Sequence, residues 1–524
     1  MSRQPHFPRS LLPTILLVFA CPAMAATPAG PQVDLPQGAL VGAPMEGGGS
    51  VFQGIPYAAP PVGELRWRAP RPAPNWRGVR DSRSDRPACL QKEEFWNVSI
   101  AGTASEDCLY LNVWTPGLRP STAYPVMVWI HGGAFTGGGG SEPVFHGPAF
   151  VARNIVLVTI NYRLGLLGFY SHPQLTKESG REGAVGNQGL LDQRAALQWV
   201  HDNIARFGGD PGNVTLFGQS AGGMSVIVHS AVPESVRLIN KAIVQSGTVI
   251  RPDPLPTLAT AERSGREFAN GDSLVALRSL PARDLMARWD AWQRNQPNRV
   301  MGPTLDGRVL KEDPHSTLSR RDDRRLPMII GHNAREGLGQ VPEQELPAAI
   351  GRLYGARAAE ATALYMAAGT DPVMGPPAAQ WITDTGFRCG SLIVAKRRAQ
   401  AGAATYSYQF EQSIPGREQV GAAHSFELAY VFGTLSQQGP LGANYSDRDH
   451  ALSNLMLDYW TNFARRGDPN GAGLPAWPRL DPANPQTLRL SHALPELAQP
   501  VAKLREPQCQ LFDEIVARKV APVP

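Results

Sequence analysis

A five-residue segment, Gly218-Gln219-Ser220-Ala221-Gly222, constrains what this chain can fold into more than any other part of the sequence. A short run rich in strand-forming residues precedes it and a run able to begin a helix follows it, so the segment lies at a predicted strand-to-helix switch. Its glycines permit a sharp turn that exposes the Ser220 hydroxyl above a sheet. A plain turn has the same pattern, so Ser220 is a candidate nucleophile only if a base, an acid and an oxyanion hole accompany it.

Strand-like and helix-like segments alternate around this turn. Continuous apolar runs predict buried strands, and one long run with helical spacing predicts a helix over 190–205; the predicted strands lie at 125–130, 155–160, 213–217, 241–246, 326–330 and 404–410. Such alternation predicts an α/β fold around a large, mostly parallel sheet flanked by helices. Residues 251–325 are richer in helix formers, proline and charge, and we expect them to form insertions that cover the active site.

Bulk composition excludes several classes of protein. The 524 residues are 42% hydrophobic and 18% charged, which suits a large folded core. Length permits two or three domains, but repeats and long low-complexity linkers are absent from the sequence, so we expect one domain over residues 26–524. The net charge of +5 is mild, and the sequence has no basic stripe or aromatic-basic module, which argues against a nucleic-acid partner.

The N-terminus has the features of a cleaved secretory signal over residues 1–25. Two arginines precede an apolar run at 11–20, and Ala23-Met24-Ala25 forms a small-residue cleavage site. We therefore expect a secreted or periplasmic protein that begins at Ala26. A lipid anchor on Cys21 is not expected, because the residues around it fit a lipoprotein signal poorly. The apolar run is too short to span a membrane, and no later stretch is long enough.

Four cysteines remain after the signal is removed, and they allow three pairings. Export to an oxidising compartment favours disulfides over metal ligation, and free buried thiols are the alternative. Cys89 and Cys108 are near neighbours that could close one loop. Cys389 and Cys509 would then join the last third of the chain to its C-terminus.

The glycine-rich segment after the predicted strand 125–130 is the candidate oxyanion hole. His131-Gly132-Gly133-Ala134-Phe135 lets backbone N–H groups approach a ligand closely. The amides of Gly133 and Ala134, with that of Ala221, could hold the oxyanion of a tetrahedral intermediate. Phosphate binding is disfavoured, because neither Lys-Ser nor Lys-Thr follows the glycines.

The acid and the base are expected downstream of the nucleophile. Glu336 follows the predicted strand 326–330, and His424 lies in a later loop of small residues. The order Ser, Glu, His is that of the α/β-hydrolase fold. His229 is a rival base, but it lies more than two helical turns beyond Ser220 and would point away, so we interpret it as structural.

With these motifs the chain resembles the type-B carboxylesterases, the family of cholinesterases and bacterial para-nitrobenzyl esterases. The resemblance covers nearly all of the mature chain through ordered segments, among them Phe52-Gln53-Gly54-Ile55-Pro56-Tyr57-Ala58, Ser105-Glu106-Asp107-Cys108-Leu109-Tyr110-Leu111-Asn112-Val113, Asn161-Tyr162-Arg163 and Phe207-Gly208-Gly209-Asp210-Pro211.

The resemblance implies roles for individual residues. The family's nucleophile, acid and base match Ser220, Glu336 and His424, and its oxyanion amides match Gly133, Ala134 and Ala221. It also implies the disulfides Cys89–Cys108 and Cys389–Cys509, a structural ion pair of Arg66 with Glu106, a position behind the triad for Ser246, and a position at the rim of the active-site gorge for Trp96. It implies no cofactor and no metal.

Two departures bear on the substrate. Many members have Glu before the nucleophile, where this chain has Gln219, so a buried negative charge is absent and cationic choline esters are disfavoured. Ala134 replaces a third glycine but retains its N–H.

Together these features predict a secreted serine carboxylesterase that cleaves small-molecule carboxylic esters through an acyl-enzyme. The alternative is a non-catalytic, cholinesterase-like binding or adhesion module, and lipase or amidase chemistry on the same fold is a second rival. A specialised substrate, such as a polycarboxylic, mycotoxin-like or phenolic ester, is a further hypothesis prompted by the mild positive charge.

Overall fold

A computed structural model gives the structure of the protein. It describes Met1 and residues 29–180, 185–252, 254–296, 302–319, 326–337, 341–437 and 444–520. Apart from Met1, the predicted signal at 1–25, with Cys21, lies outside the described residues.

The described chain alternates strands and helices. The strands are β1 Gln32–Leu35, β2 Gly38–Val41, β3 Ala43–Pro44, β4 Ser50–Pro56, β5 Val79–Asp81, β6 Tyr110–Thr115, β7 Tyr124–Ile130, β8 Val156–Ile160, β9 Gly209–Gln219, β10 Lys241–Gln245, β11 Met328–Asn333, β12 Thr405–Phe410, β13 Gln486–Leu490 and β14 Ala498–Ala502.

The α-helices are α1 Val98–Ala101, α2 Pro148–Val151, α3 Gly165–Phe169, α4 Pro173–Glu178, α5 Gln188–Asn203, α6 Ala221–Ala231, α7 Pro233–Val236, α8 Leu258–Ala269, α9 Leu274–Ser279, α10 Ala282–Arg294, α11 Pro314–Ser319, α12 Leu346–Tyr354, α13 Ala358–Ala368, α14 Pro377–Thr383, α15 Cys389–Gln400, α16 Leu428–Phe432, α17 Asp447–Arg466 and α18 Glu506–Val520. A π-helical turn, Asp384–Arg388, joins α14 to α15.

The predicted α/β architecture is confirmed. Eleven strands form one sheet in the order β14-β13-β12-β11-β10-β9-β7-β8-β6-β4-β3, and β1, β2 and β5 form a small second sheet. The seven central strands from β13 to β8 pair in parallel, while the outer strands β14, β6, β4 and β3 pair antiparallel. The antiparallel strands before β7 were not predicted from the sequence.

Alternate side chains of the central strands pack into two apolar cores, one on each face of the sheet. In β7, Val126, Val128 and Ile130 belong to one core, whereas Met127 and Trp129 belong to the other. All five side chains are fully buried. Because both faces are covered, the central strands are continuously apolar, which explains why they could be predicted from the sequence.

The parallel order brings four loops to one edge of the sheet. The loop after β7 carries the glycine motif, Ser220 follows β9, Glu336 follows β11, and His424 lies beyond β12. The carboxyl ends of parallel strands meet at the same edge, where ligands bind in open α/β sheets. The predicted insertion contains helices α8 to α11. In the described part of the chain, every helix is too short or too polar to cross a bilayer.

Candidate active site

Ser220 occupies a strained turn between β9 and α6. Its φ of 56° and ψ of −121° are unusual for a residue with a Cβ atom. Its backbone N–H donates to Gln245 O at 2.9 Å, which anchors the turn to β10. The flanking glycines leave no room for side chains, since a Cβ atom on Gly222 would lie 2.0 Å from Ile130 O and one on Gly218 would lie 2.7 Å from the same oxygen.

The predicted acid and base lie in direct contact. His424 Nδ1 is 2.6 Å from Glu336 Oε2, and the His424 backbone N–H donates to Glu336 O at 3.2 Å. The other carboxylate oxygen of Glu336 accepts from the backbone N–H of Asn333 at 2.7 Å. Glu336 is buried, whereas the His424 side chain remains 10% exposed. The carboxylate therefore fixes the imidazole ring, with Nδ1 as its donor and Nε2 left as an acceptor.

The second imidazole nitrogen faces the side chain of Gln219. Gln219 Nε2 lies 3.1 Å from His424 Nε2, so the amide donates to the nitrogen that would take a proton from Ser220. The sequence had singled out Gln219 for its missing charge, but not for this contact. The contact joins residues 205 positions apart and depends on the packing of two loops.

The glycine loop after β7 approaches Ser220 closely. A Cβ atom on Gly132 would lie 3.1 Å from Ser220 Cβ. Gly133 and Ala134 both have positive φ, 97° and 54°. Within the described ranges, no protein acceptor takes the backbone N–H of Gly133, Ala134 or Ala221. Unpaired N–H groups beside a nucleophile are what an oxyanion hole requires.

Aromatic packing supports the start of this loop. The His131 ring stacks on Tyr162 at 4.4 Å, and Tyr162 Oη donates to His131 O at 3.0 Å. Burial lowers the pKa of His131 to about 4, so the ring is neutral at pH 7 and packs as an apolar group. On the outer side, a Cβ atom on Gly133 would lie 3.0 Å from the edge of Trp96, whose side chain is 42% exposed. Trp96 therefore lies over the glycine loop.

A second buried carboxyl group, Glu427, which could not be singled out from the sequence, lies close to Glu336. Glu427 Oε2 accepts from Asn333 Nδ2 at 2.7 Å, and Glu427 Oε1 accepts from Gln245 Nε2 at 3.3 Å. Burial, together with the charge of Glu336, raises the pKa of Glu427 to about 7. Its position three residues after His424 was the available signal, but an isolated Glu in sequence is usually a solvated residue.

Phe387 is a further residue that the sequence did not identify. Its ring lies 4.9 Å from the ring of His424, and it belongs to the π-helical turn Asp384–Arg388. The buried Arg388 in the same turn donates to Ala334 O at 2.6 Å, and Thr383 Oγ1 accepts from the Glu336 backbone N–H at 3.1 Å. The end of α14 and this turn thus hold the loop of Glu336 and one face of the His424 ring.

Other residues singled out in the sequence fall at supporting positions. Ser246 follows β10 with φ 46°, and its backbone N–H donates to Gly331 O at 2.8 Å. Arg66 and Glu106 form a two-bond ion pair at 2.5 and 2.9 Å. The four cysteines form two disulfides, Cys89–Cys108 and Cys389–Cys509.

His229, the rival candidate for the base, makes its contacts away from Ser220. It is buried in α6, where its Nδ1 lies 3.0 Å from Ser235 Oγ and its Nε2 lies 2.9 Å from Gln193 Oε1. Burial lowers its pKa to about 3. Both nitrogens are therefore used in a neutral structural network. Among the described residues, no group of three His, Cys, Asp or Glu side chains is arranged to hold a metal ion.

Comparisons with known proteins agree with this geometry. The model of the carboxylesterase family matches residues 29–512. The chain is 37% identical over 478 residues to a fumonisin B1 esterase of Sphingopyxis macrogoltabida, with 87% of each chain covered. It is 33% identical over 581 residues to carboxylesterase 1E of Rattus norvegicus, covering 96% of this chain and 98% of the relative.

Solved structures give the same result. A thermophilic PNB esterase superposes with a TM-score of 0.81 at 31% identity, covering 92% of this chain and all of the other. The carboxylesterase EST55 of Geobacillus stearothermophilus superposes with a TM-score of 0.80 at 34% identity, covering 92% and 99%. The chain therefore belongs to the carboxylesterase family, and it is a carboxylic ester hydrolase of the α/β-hydrolase fold.

Proposed function

We propose that this hydrolase uses Ser220 as nucleophile, His424 as general base and Glu336 as the acid that orients it. His424 Nε2 takes the hydroxyl proton while Ser220 Oγ bonds to the ester carbonyl carbon. The carbonyl oxygen becomes an oxyanion held by the N–H groups of Gly133, Ala134 and Ala221. The C–O bond then breaks, the imidazolium gives its proton to the departing alcohol, and water repeats these steps to release the acid.

The contact between His424 and Glu336 supports this proposal most directly. At 2.6 Å, the buried carboxylate holds Nδ1 as a donor and stabilises the imidazolium that forms during each proton transfer. The unpaired amides of the glycine loop supply the complementary charge stabilisation. A binding module would have no use for either arrangement.

The test is replacement of Ser220 by Ala. We expect Ser220→Ala to fold normally, to hydrolyse p-nitrophenyl esters at the rate of buffer alone, and to resist labelling by a fluorophosphonate probe. Ser225→Ala is the matched control, because Ser225 lies in the same helix and donates to Ala221 O at 3.0 Å; it should retain both activity and labelling. Turnover that persists in Ser220→Ala would refute the assignment.

We further propose that the preferred substrate is neutral or anionic, rather than cationic, near the ester bond that is cleaved. Gln219, which is 2% exposed, puts a neutral amide beside the nucleophile, so a desolvated cation would have no partner there. A similar protein is a fumonisin B1 esterase, which supports the hypothesis of a mycotoxin-like or polycarboxylic ester. A panel of choline, neutral and carboxylate-bearing esters, with fumonisin B1 included, tests this preference.

We also propose that the protein is exported and begins at Ala26. Two disulfides in the described chain support an oxidising compartment. Mass spectrometry of the protein recovered from periplasm and medium checks this: a mature mass starting at Ala26 is expected, and retention of residues 1–25 would contradict it.

A further inference from the structure

The glycine loop that carries the oxyanion donors has little intrinsic rigidity. Six of the ten residues from 131 to 140 are glycines, and glycine loses more conformational freedom on ordering than any other residue. An oxyanion hole works only when its donors are preorganised. Something outside the loop must therefore hold it in place.

Gln91 makes such a contact at Gly138. Its side-chain Oε1 accepts from the Gly138 N–H at 2.7 Å, and its Nε2 donates to Gly138 O at 2.9 Å. One amide thus binds both polar groups of a single backbone residue. Gln91 is buried, with 8% of its surface exposed, so these bonds are shielded from competition with water.

The orientation of the Gln91 amide is determined by Asn97. Asn97 Nδ2 donates to Gln91 Oε1 at 2.9 Å and to Lys92 O at 3.0 Å, and Asn97 Oδ1 accepts from the Glu94 N–H at 2.7 Å. Gln91 Nε2 also donates to Cys89 O at 2.9 Å. With two donors facing Oε1 and two carbonyls facing Nε2, only one orientation of the amide satisfies all four contacts.

The contacts of Gly138 extend this restraint to the part of the loop that carries the oxyanion donors. A Cβ atom on Gly138 would lie 2.4 Å from His131 Nδ1 and 2.9 Å from Gly132 O, so the two ends of the loop are in contact. The next residue towards the donors, Gly137, bonds to Gly133 O at 3.0 Å. Fixing Gly138 therefore fixes the turn that presents Gly133.

We infer that Gln91, oriented by Asn97, is a positioning residue for the oxyanion hole. The segment that the Cys89–Cys108 disulfide closes therefore also supports the glycine loop. This inference rests on the proposed oxyanion role of Gly133 and Ala134, and it adds residues that do not touch the substrate.

The experiment compares Gln91→Met with the wild-type protein. Met retains the length of the side chain and removes both bonds to Gly138. We expect kcat per titrated active site to fall about tenfold to a hundredfold, somewhat less than the loss of an oxyanion donor, while KM changes by less than threefold. Affinity for a trifluoromethyl ketone inhibitor, which places an oxyanion in the hole, should fall by a similar factor. Affinity for the same compound with CH2 in place of the carbonyl should be unchanged.

Two further variants make the outcome decisive. Asn203→Leu removes a buried amide at the end of α5, where it donates to Trp199 O at 3.0 Å, and should leave every catalytic readout unchanged. Asn97→Asp cannot donate to Gln91 and should give the Gln91→Met pattern in weaker form. Wild-type kcat and ketone affinity per active site in Gln91→Met would overturn the inference, as would failure of both loop variants to fold. If Ser220→Ala retained turnover, the proposed mechanism itself would fail instead.

Discussion

The side-chain amide of Gln219 lies 3.1 Å from Nε2 of His424, the imidazole nitrogen that would take the proton from Ser220. A neutral amide can donate to this nitrogen when the imidazole is neutral, but it offers no charge to stabilise the imidazolium. A carboxylate at the same position would accept a hydrogen bond from the protonated ring, and its negative charge would stabilise the imidazolium.

Gln219→Glu should therefore move the acidic limb of the pH profile of kcat/KM to higher pH by about one unit, because a neighbouring carboxylate favours the protonated imidazole. Activity at pH 6 falls more than activity at pH 8. Stopped-flow or plate assays from pH 5 to 9 measure the limb. Gln219→Leu removes the amide without adding charge, so it loses only a hydrogen bond to the neutral imidazole and should move the limb much less than Gln219→Glu does. A limb that Gln219→Glu moves no further than Gln219→Leu would contradict this prediction.

The buried carboxyl group of Glu427 should make the free energy of unfolding depend on pH. Its pKa is raised to about 7 by burial and by the charge of Glu336, whereas the pKa of a Glu in the unfolded chain is about 4.3. The folded state thus holds this proton more tightly than the unfolded state, so this group's contribution to stability falls as pH rises from about 4.3 to about 7, by at most about 3 kcal/mol.

Glu427→Gln should remove that component. We expect the variant to lose less stability than the wild type, or to gain more, when the pH is raised from 5 to 8. Urea unfolding at the two pH values measures the free energies of unfolding. Glu343→Gln replaces a carboxyl in a short surface helix that is not buried and serves as the control. A pH dependence identical in Glu427→Gln and wild type would refute the role of this group.

The sequence predicted the central sheet because a strand covered on both faces is continuously apolar, as β7 and β8 are. It did not predict β1 or β4, where burial alternates or is partial and the strands are short or polar. The candidate triad could be found because each member follows a recognisable strand or loop. The contacts of Gln91, Gln219 and Glu427 could not, since each joins segments whose relative position is set only by tertiary packing.

Substitution of Gly222 tests whether the turn at Ser220 can accommodate a side chain. A Cβ atom there would lie 2.0 Å from Ile130 O, a backbone atom that cannot move without displacing β7. Gly222→Ala should abolish hydrolysis and lower the free energy of unfolding by about 2–3 kcal/mol. Gly351→Ala is the control: Gly351 lies inside α12 with nothing within 4 Å of its Cβ position, so alanine should be neutral or stabilise by up to about 1 kcal/mol. Comparable activity in the two variants would contradict this prediction.

The Cys389–Cys509 disulfide gives a test that separates stability from activity. It joins α15 to α18 across 120 residues of sequence, so it restricts a long loop in the unfolded chain, and its loss should lower the free energy of unfolding by about 3–5 kcal/mol. The double variant Cys389→Ala, Cys509→Ala should keep kcat per titrated active site within about twofold, because Arg505 still binds Asp384 at 2.7 Å and holds the turn beside Glu336. Guanidinium unfolding and active-site titration measure the two quantities. An intact stability with a large loss of kcat would show that the disulfide acts on the catalytic site instead.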